Sequence, residues 1–303
     1  SGVKRVWCGT GGLLSTPAMS AVIRTRSRGL QKMAPVGGFI EDGETPLAAA
    51  KRELREELQA GLEKVKRIAN SLRCSGGAAV TLEIADCPLQ DATLAEVKQL
   101  LLTWIRQGLI DGVWLGTPCS SWSAARRGQP GRPGGPLRSP DHIWGHPDAL
   151  ARPADYDRIQ IGNSTTRFTI DILRACAANS VAAVLENPAG SMLWTVPNIA
   201  KLCQHSASTQ VVLDYCQFGA VFRKRTRLQG WHLGGLSELR HLCTGRGGLC
   251  SRTCRPHQIL EGAQMTKTAA AYPPKFALQA AHVLFSSVNN SSLERMWKII
   301  HPD

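Results

Sequence analysis

The sequence predicts an α/β protein built on a mostly parallel sheet. Three observations carry that reading. Ala78–Ile84, Val113–Leu115 and Val181–Leu185 are short apolar runs, which read as buried strands. Ala95–Gln107 and Asp157–Asn179 lie between successive runs and have helical character. A strand, helix, strand order requires a crossover connection, and hence parallel pairing.

The 303-residue chain is long enough for one large domain or two smaller ones with an ample core. Its hydrophobic share of 43% and aromatic share of 6% exclude wholesale disorder. Lys and Arg total 36 against 23 Asp and Glu, giving a formal charge of +13 and a pI near 9.6. A surplus of that size points to a polyanionic partner, nucleic acid first. No apolar run reaches the ~18 residues of a membrane span, and the amino terminus SGVKRVWCGTGG lacks the apolar core of a secretory signal. The ten cysteines are scattered without dense disulfide spacing, which fits a reducing compartment. The expectation is a nuclear or cytoplasmic protein, neither secreted nor membrane-bound, read as an excised or incomplete fragment.

Residues 1–75 have their own character. Thr45 and Pro46 form a helix start, and the Ala-, Glu- and Leu-rich stretch after them favours a helix. Glu53, Glu56 and Glu57 fall at i, i+3 and i+4 and share one helical face. Three carboxylates so placed suit Mg2+, a hard cation that takes oxygen ligands; the alternative is a solvated, charged helix. Gly38, Glu44, Arg52, Glu53, Leu54, Glu56 and Glu57 stand at the spacing of the Nudix box, which the segment 37–62 resembles. The resemblance implies a small N-terminal Nudix-like α/β segment and Mg2+-dependent cleavage of nucleoside diphosphate derivatives.

The larger part of the chain then unfolds in order. The strand Ala78–Ile84 is followed by Asp86 and Asp91. In the next helix Leu94, Val97, Leu100, Leu101, Trp104 and Ile105 recur at helical spacing, and Gly108 closes it. Val113, Trp114 and Leu115 form a strand stopped by Gly116, Thr117 and Pro118, with Cys119 on the turn. In open α/β sheets, ligands collect at such carboxyl ends of strands. The Gly- and Pro-rich stretch that follows carries Arg126, Arg127, Arg132 and Arg138. It predicts no regular structure before Asp157 and a basic loop suited to a phosphate backbone. Val181–Leu185 delivers Glu186, Asn187 and Pro188 to the same sheet edge as Cys119. Asn198–His205 reads as a helix and Gln210–Cys216 as a strand, followed by Arg223, Lys224, Arg225 and Arg227, a cluster suited to phosphates. Leu228–His232 reads as the return strand of a hairpin. Cys243, Cys250, Cys254 and His257 offer four soft ligands for structural Zn2+, the alternative being ordinary reduced thiols. Tyr272–Leu284 reads as a turn and a packing helix.

Cys119, Glu186 and the arginines arrive at three strand ends in that order. Over residues 78–285 this arrangement resembles the DNA cytosine C5 methyltransferases. Pro118, Cys119, Trp122 and Ser123 match that family's Pro-Cys motif, Glu186 and Asn187 its Glu-Asn motif, and Phe218, Gly219, Arg225 and Arg227 its arginine motif. The resemblance implies a Rossmann-like, mostly parallel sheet of the S-adenosylmethionine-dependent methyltransferase type. It implies Cys119 as nucleophile at cytosine C6, Glu186 as the acid at N3, and Arg225 and Arg227 near the base. Attack on so weak an electrophile needs a thiolate and a proton donor, and the base must first leave the stack. Pro118, Ser120, Ser123, Asn187, Arg126 and Arg127 are the implied substrate contacts, with DNA ahead of RNA as partner. For the cofactor, Glu83, Asp86 and Asp91 stay open, as do glycine turns at Val6–Gly12 and Ser75–Gly77.

The expected division is therefore a Nudix-like segment at 1–75, a methyltransferase-like domain at 76–285 with a variable insert at 229–265, and a tail at 286–303. Two other functions stand beside methyl transfer. One is Mg2+-dependent nucleoside diphosphate hydrolysis, and the other is non-catalytic nucleic-acid binding by a methyltransferase remnant.

Overall fold

The computed structural model describes residues 5–12, 67–74, 78–83, 94–123, 128–260, 269 and 271–287. Glu53, Glu56, Glu57, Asp86, Asp91, Arg126, Arg127 and most of the C-terminal tail lie outside those residues.

The protein is a mixed α/β fold around one six-stranded sheet. In chain order the strands are β1 (Arg5–Gly12), β2 (Ala78–Glu83), β3 (Gly112–Leu115), β4 (Ala182–Pro188), β5 (Ser208–Asp214) and β6 (Arg225–Trp231). Their spatial order is β2-β1-β3-β4-β6-β5. The four strands from β2 to β4 pair in parallel, and β6 runs antiparallel to both of its neighbours. The helices are α1 (67–74), α2 (Ala95–Arg106), α3 (Pro147–Leu150), α4 (Pro153–Ala178), α5 (Pro197–Cys203) and α6 (Pro274–Ser287).

Successive strand residues alternate between faces, and the two faces carry separate cores. On one side Trp114, Val184 and Leu228 pack with Ile68, Ala69 and Leu72 of α1 and with Phe276, Ala280 and Leu284 of α6. On the other, Val113, Leu115, Ala183 and Leu185 pack with Leu101 and Ile105 of α2, Phe168 and Leu173 of α4, and Ile199 of α5. Helices thus cover both faces of the parallel half, as its buried strands require.

Two sequence expectations change and a third is sharpened. Val6–Gly12, read as a glycine turn, belongs to a strand that pairs with both β2 and β3. A strand from the N-terminal segment is therefore a member of the main sheet. Second, β6 is the return strand of an antiparallel hairpin with β5, as read from the sequence, but it begins three residues earlier, at Arg225, and is not at the sheet edge. It lies between β4 and β5, with Glu186 opposite Leu228 and Val211 opposite the same Leu228.

Third, the stretch before Asp157 is ordered where it is described. Arg138 is 1% exposed and threads the loop from within. Its guanidinium donates to the carbonyls of Ser121, Ile143 and Ile159, to Ser121 Oγ and to Asn163 Oδ1, and lies 3.5 Å from the Trp122 ring centre. Five donors in a planar fork suit that task. The loop packs so closely on α4 that a Cβ at Gly162 would come 2.1 Å from Ser121 Oγ. Pro153 then starts α4 four residues earlier than expected, since a first-turn proline has no N–H to leave unpaired.

Candidate functional site

The carboxyl end of β3 is held firmly. Thr117 Oγ1 hydrogen-bonds Thr169 Oγ1 of α4 at 2.8 Å, and Asn187 Nδ2 donates to the Thr117 carbonyl at 2.7 Å. The Trp122 N–H closes a turn onto the Cys119 carbonyl at 3.0 Å, and the Met192 N–H reaches the Trp122 carbonyl at 2.9 Å. Ser123 bridges to Ser191 across that contact. Pro118, Cys119, Ser120 and Ser123 are consequently half-buried on a fixed turn.

Glu186, on the neighbouring strand, is fully buried. Tyr272 Oη donates to its Oε2 at 2.9 Å and Tyr215 Oη to its Oε1 at 3.3 Å. Trp114 Nε1 in turn donates to Tyr272 Oη at 3.0 Å. Trp114, Tyr215, Tyr272 and Phe276 pack edge-on or tilted around the carboxylate, with ring centres 5.1–6.2 Å apart. Burial first, and the Glu186 charge second, hold both phenols well above their ordinary range, so they remain donors. The result is a water-excluded carboxylate fixed through both oxygens, on the strand next to the one that leads into half-buried Cys119. Neither tyrosine carried a signal in the sequence beyond its place in a predicted strand, for Tyr215, or in the turn before a helix, for Tyr272.

The arginines go elsewhere. Arg225 pairs with buried Asp214 at 3.0 Å, and Arg223 reaches the same carboxylate at 3.3 Å. Burial opposes the Asp214 charge, but Arg225, the Cys243 N–H and Arg223 outweigh it and hold the carboxyl below its usual range. Arg227 stacks 4.2 Å from the Trp194 ring centre and donates to Gln229 Oε1 at 2.7 Å. It pairs in register with Asn187, while Leu228 pairs with Glu186, so Arg227 occupies the face opposite the carboxylate. Glu83 ends β2.

A second group gathers past β5. The ligand atoms of Cys216, Cys243, Cys250 and His257 all lie within 4.8 Å of one another. The sequence spacing placed Cys254 in this set, and the structure corrects it. Cys254 is exposed, with a left-handed backbone at φ 56°, and Cys216 takes its place from the short 3-10 helix Tyr215–Phe218. No local spacing could show this, because Cys216 approaches only when β5 folds beside β6. Burial disfavours the Cys243 thiolate, yet N–H groups of Ser251 and Gly245 and the Ser251 hydroxyl draw its pKa down to about 6. Burial pushes Cys216 up to about 12. Three thiols and an imidazole at these separations could hold a metal ion.

Among the described residues, no helix is long and apolar enough to cross a membrane. Comparison with family models matches the NUDIX domain over residues 15–77 and gives no methyltransferase match. That finding overturns the expected cytosine C5 methyltransferase, together with S-adenosylmethionine as its cofactor and DNA methylation as its role. The geometry is consistent with the correction, since Arg225 and Arg227 are engaged with Asp214, Gln229 and Trp194 rather than facing Glu186. No curated protein and no solved structure matches the chain. What the chain resembles by family is thus confined to the NUDIX match, a stretch that lies in the chain between β1 and β2 and includes α1.

Proposed function

We propose that the chain is a Mg2+-dependent hydrolase of nucleoside diphosphate derivatives, acting through its N-terminal segment. The observation that carries the reading is the NUDIX match over residues 15–77, which encloses Glu53, Glu56 and Glu57. Carboxylates at i, i+3 and i+4 are the hard oxygen donors that Mg2+ takes, and the bound ion would polarise a phosphoryl oxygen and activate water. The main sheet is compatible with the same ligand class. We read it as Rossmann-type, with a switch point between β1 and β3 where the chain order reverses. Crevices at such points accept nucleotides, and the β1 end bears Gly9, Gly11 and Gly12.

The test is pyrophosphate cleavage by the full chain across a panel of nucleoside diphosphate derivatives with Mg2+. Glu56→Gln and Glu57→Gln should each abolish turnover, while Cys119→Ser should not change it. Absence of hydrolysis across the panel, or activity that survives both Glu substitutions, would overturn the reading.

The charge of +13 favours a second, compatible reading, in which the basic surface binds nucleic acid, DNA ahead of RNA.

A further inference from the structure

We infer that Cys216, Cys243, Cys250 and His257 form a closed, structural Zn2+ site that locks the 243–258 loop to the turn bearing Tyr215. The inference is independent of the hydrolase reading.

The separations are those of a nearly assembled tetrahedron. Four ligands at ~2.3 Å from zinc stand about 3.8 Å from one another. Here Cys243 Sγ lies 3.7 Å from His257 Nε2, and all four ligand atoms fall within 4.8 Å. Three thiolates and an imidazole select a soft or borderline ion over Mg2+ or Ca2+, and four protein ligands leave no open position for a substrate.

The histidine is held in the tautomer a metal needs. His257 Nδ1 lies 3.0 Å from the Gly248 carbonyl. A carbonyl can only accept, so Nδ1 carries the proton and Nε2 presents its lone pair to the sulfur cluster. The sulfurs are also supplied with donors. The Ser251 N–H lies 3.3 Å from Cys243 Sγ, and Gln217 Nε2 lies 3.5 Å from Cys216 Sγ and 3.8 Å from Cys250 Sγ. Donors of this kind offset the negative charge that accumulates on metal-bound thiolates.

The loop offers little else to hold it. Residues 243–258 contain no helix and no strand longer than an isolated bridge. Leu249 is 43% exposed, and the three cysteines make up a small cluster separate from both main cores. A segment without an apolar core needs another staple, and a metal supplies one. The ligand from outside the loop gives this staple its reach. Cys216 follows Tyr215 directly, and Arg252 Nε donates to the Cys216 carbonyl at 2.7 Å. The ion would therefore fix the turn from which Tyr215 reaches Glu186.

Metal analysis of the purified full chain, after supply of Zn2+ under reducing conditions, should give one zinc per chain. Replacement by Co2+ should give thiolate charge-transfer absorption and the visible bands of tetrahedral cobalt. Cys216→Ser should lose the metal, and Cys254→Ser should retain it. Where Cys216→Ser does not fold, alkylation mapped by mass spectrometry answers the same question on the unsubstituted chain. Zinc should protect Cys216, Cys243 and Cys250 relative to chelated protein and leave Cys254 labelled. A chain that binds no zinc, or one in which Cys254 is protected and Cys216 is not, overturns the inference.

Discussion

Replacing Tyr272 by Phe removes one oxygen atom from the fully buried polar cluster around Glu186. That oxygen donates to Glu186 Oε2 at 2.9 Å and accepts from Trp114 Nε1 at 3.0 Å. A hydrogen bond to a charged group contributes about 1.5–3 kcal/mol, and a buried donor stripped of its acceptor costs about 1–3 kcal/mol. Trp114 is 1% exposed, so water does not replace the lost acceptor without rearrangement. The substitution should therefore cost about 3–4 kcal/mol. Tyr215→Phe is the internal comparison. Its hydroxyl reaches Glu186 Oε1 at 3.3 Å, beyond the usual range for an O–H donor, and should cost only ~1–2 kcal/mol. Urea unfolding of both variants measures the difference, and a thermal scan should show Tyr272→Phe melting roughly 5–6 °C below the unsubstituted chain. A loss below ~1 kcal/mol for Tyr272→Phe, or a larger loss for Tyr215→Phe, would show that the two phenols do not anchor the carboxylate as described.

Two further outcomes are expected. Arg138→Lys keeps a charge but not the planar fork that reaches Ser121, Asn163, Ile143 and Ile159, so it should lose about 2–3 kcal/mol in urea unfolding; stability equal to the unsubstituted chain would refute the buried role of the guanidinium. Duplex DNA should bind the full chain with an affinity that falls about tenfold or more between 50 and 200 mM salt, and binding that ignores salt would count against a phosphate-directed surface.

The elements legible in the sequence were those set by local pattern. α2 was marked by its apolar spacing and the glycine after it, and observation moves its end by one residue, to Arg106. β3 and β4 declared themselves as apolar runs because both of their faces are buried. What stayed hidden depends on contacts between distant residues. β1 ends in Cys-Gly-Thr-Gly-Gly, which locally looks like a turn, and its partner β2 begins only at Ala78. Cys216 was indistinguishable from a strand residue until β5 and β6 paired. Arg138 looked like one more loop cation, whereas five acceptors converge on it from Ser121, Ile143, Ile159 and Asn163. The parallel pairing of β3 with β4, the strands that lead to Cys119 and carry Glu186, follows from the strand, helix, strand order. The phenols that occupy the carboxylate were hidden, because Tyr272 comes from the turn just before α6, 86 residues further on.

The position of β1 limits how the chain can be divided. A cut at residue 75, natural by composition, would separate the NUDIX-matching stretch from everything after it, but it would also remove a strand with neighbours on both sides. β3 would then present a bare row of amide and carbonyl groups to solvent, and β2 would have nothing to pair with. An unprotected edge of that kind recruits other chains. The matching stretch lies in the chain between two paired strands of one sheet, so division by truncation at its end separates β1 from both of its neighbours.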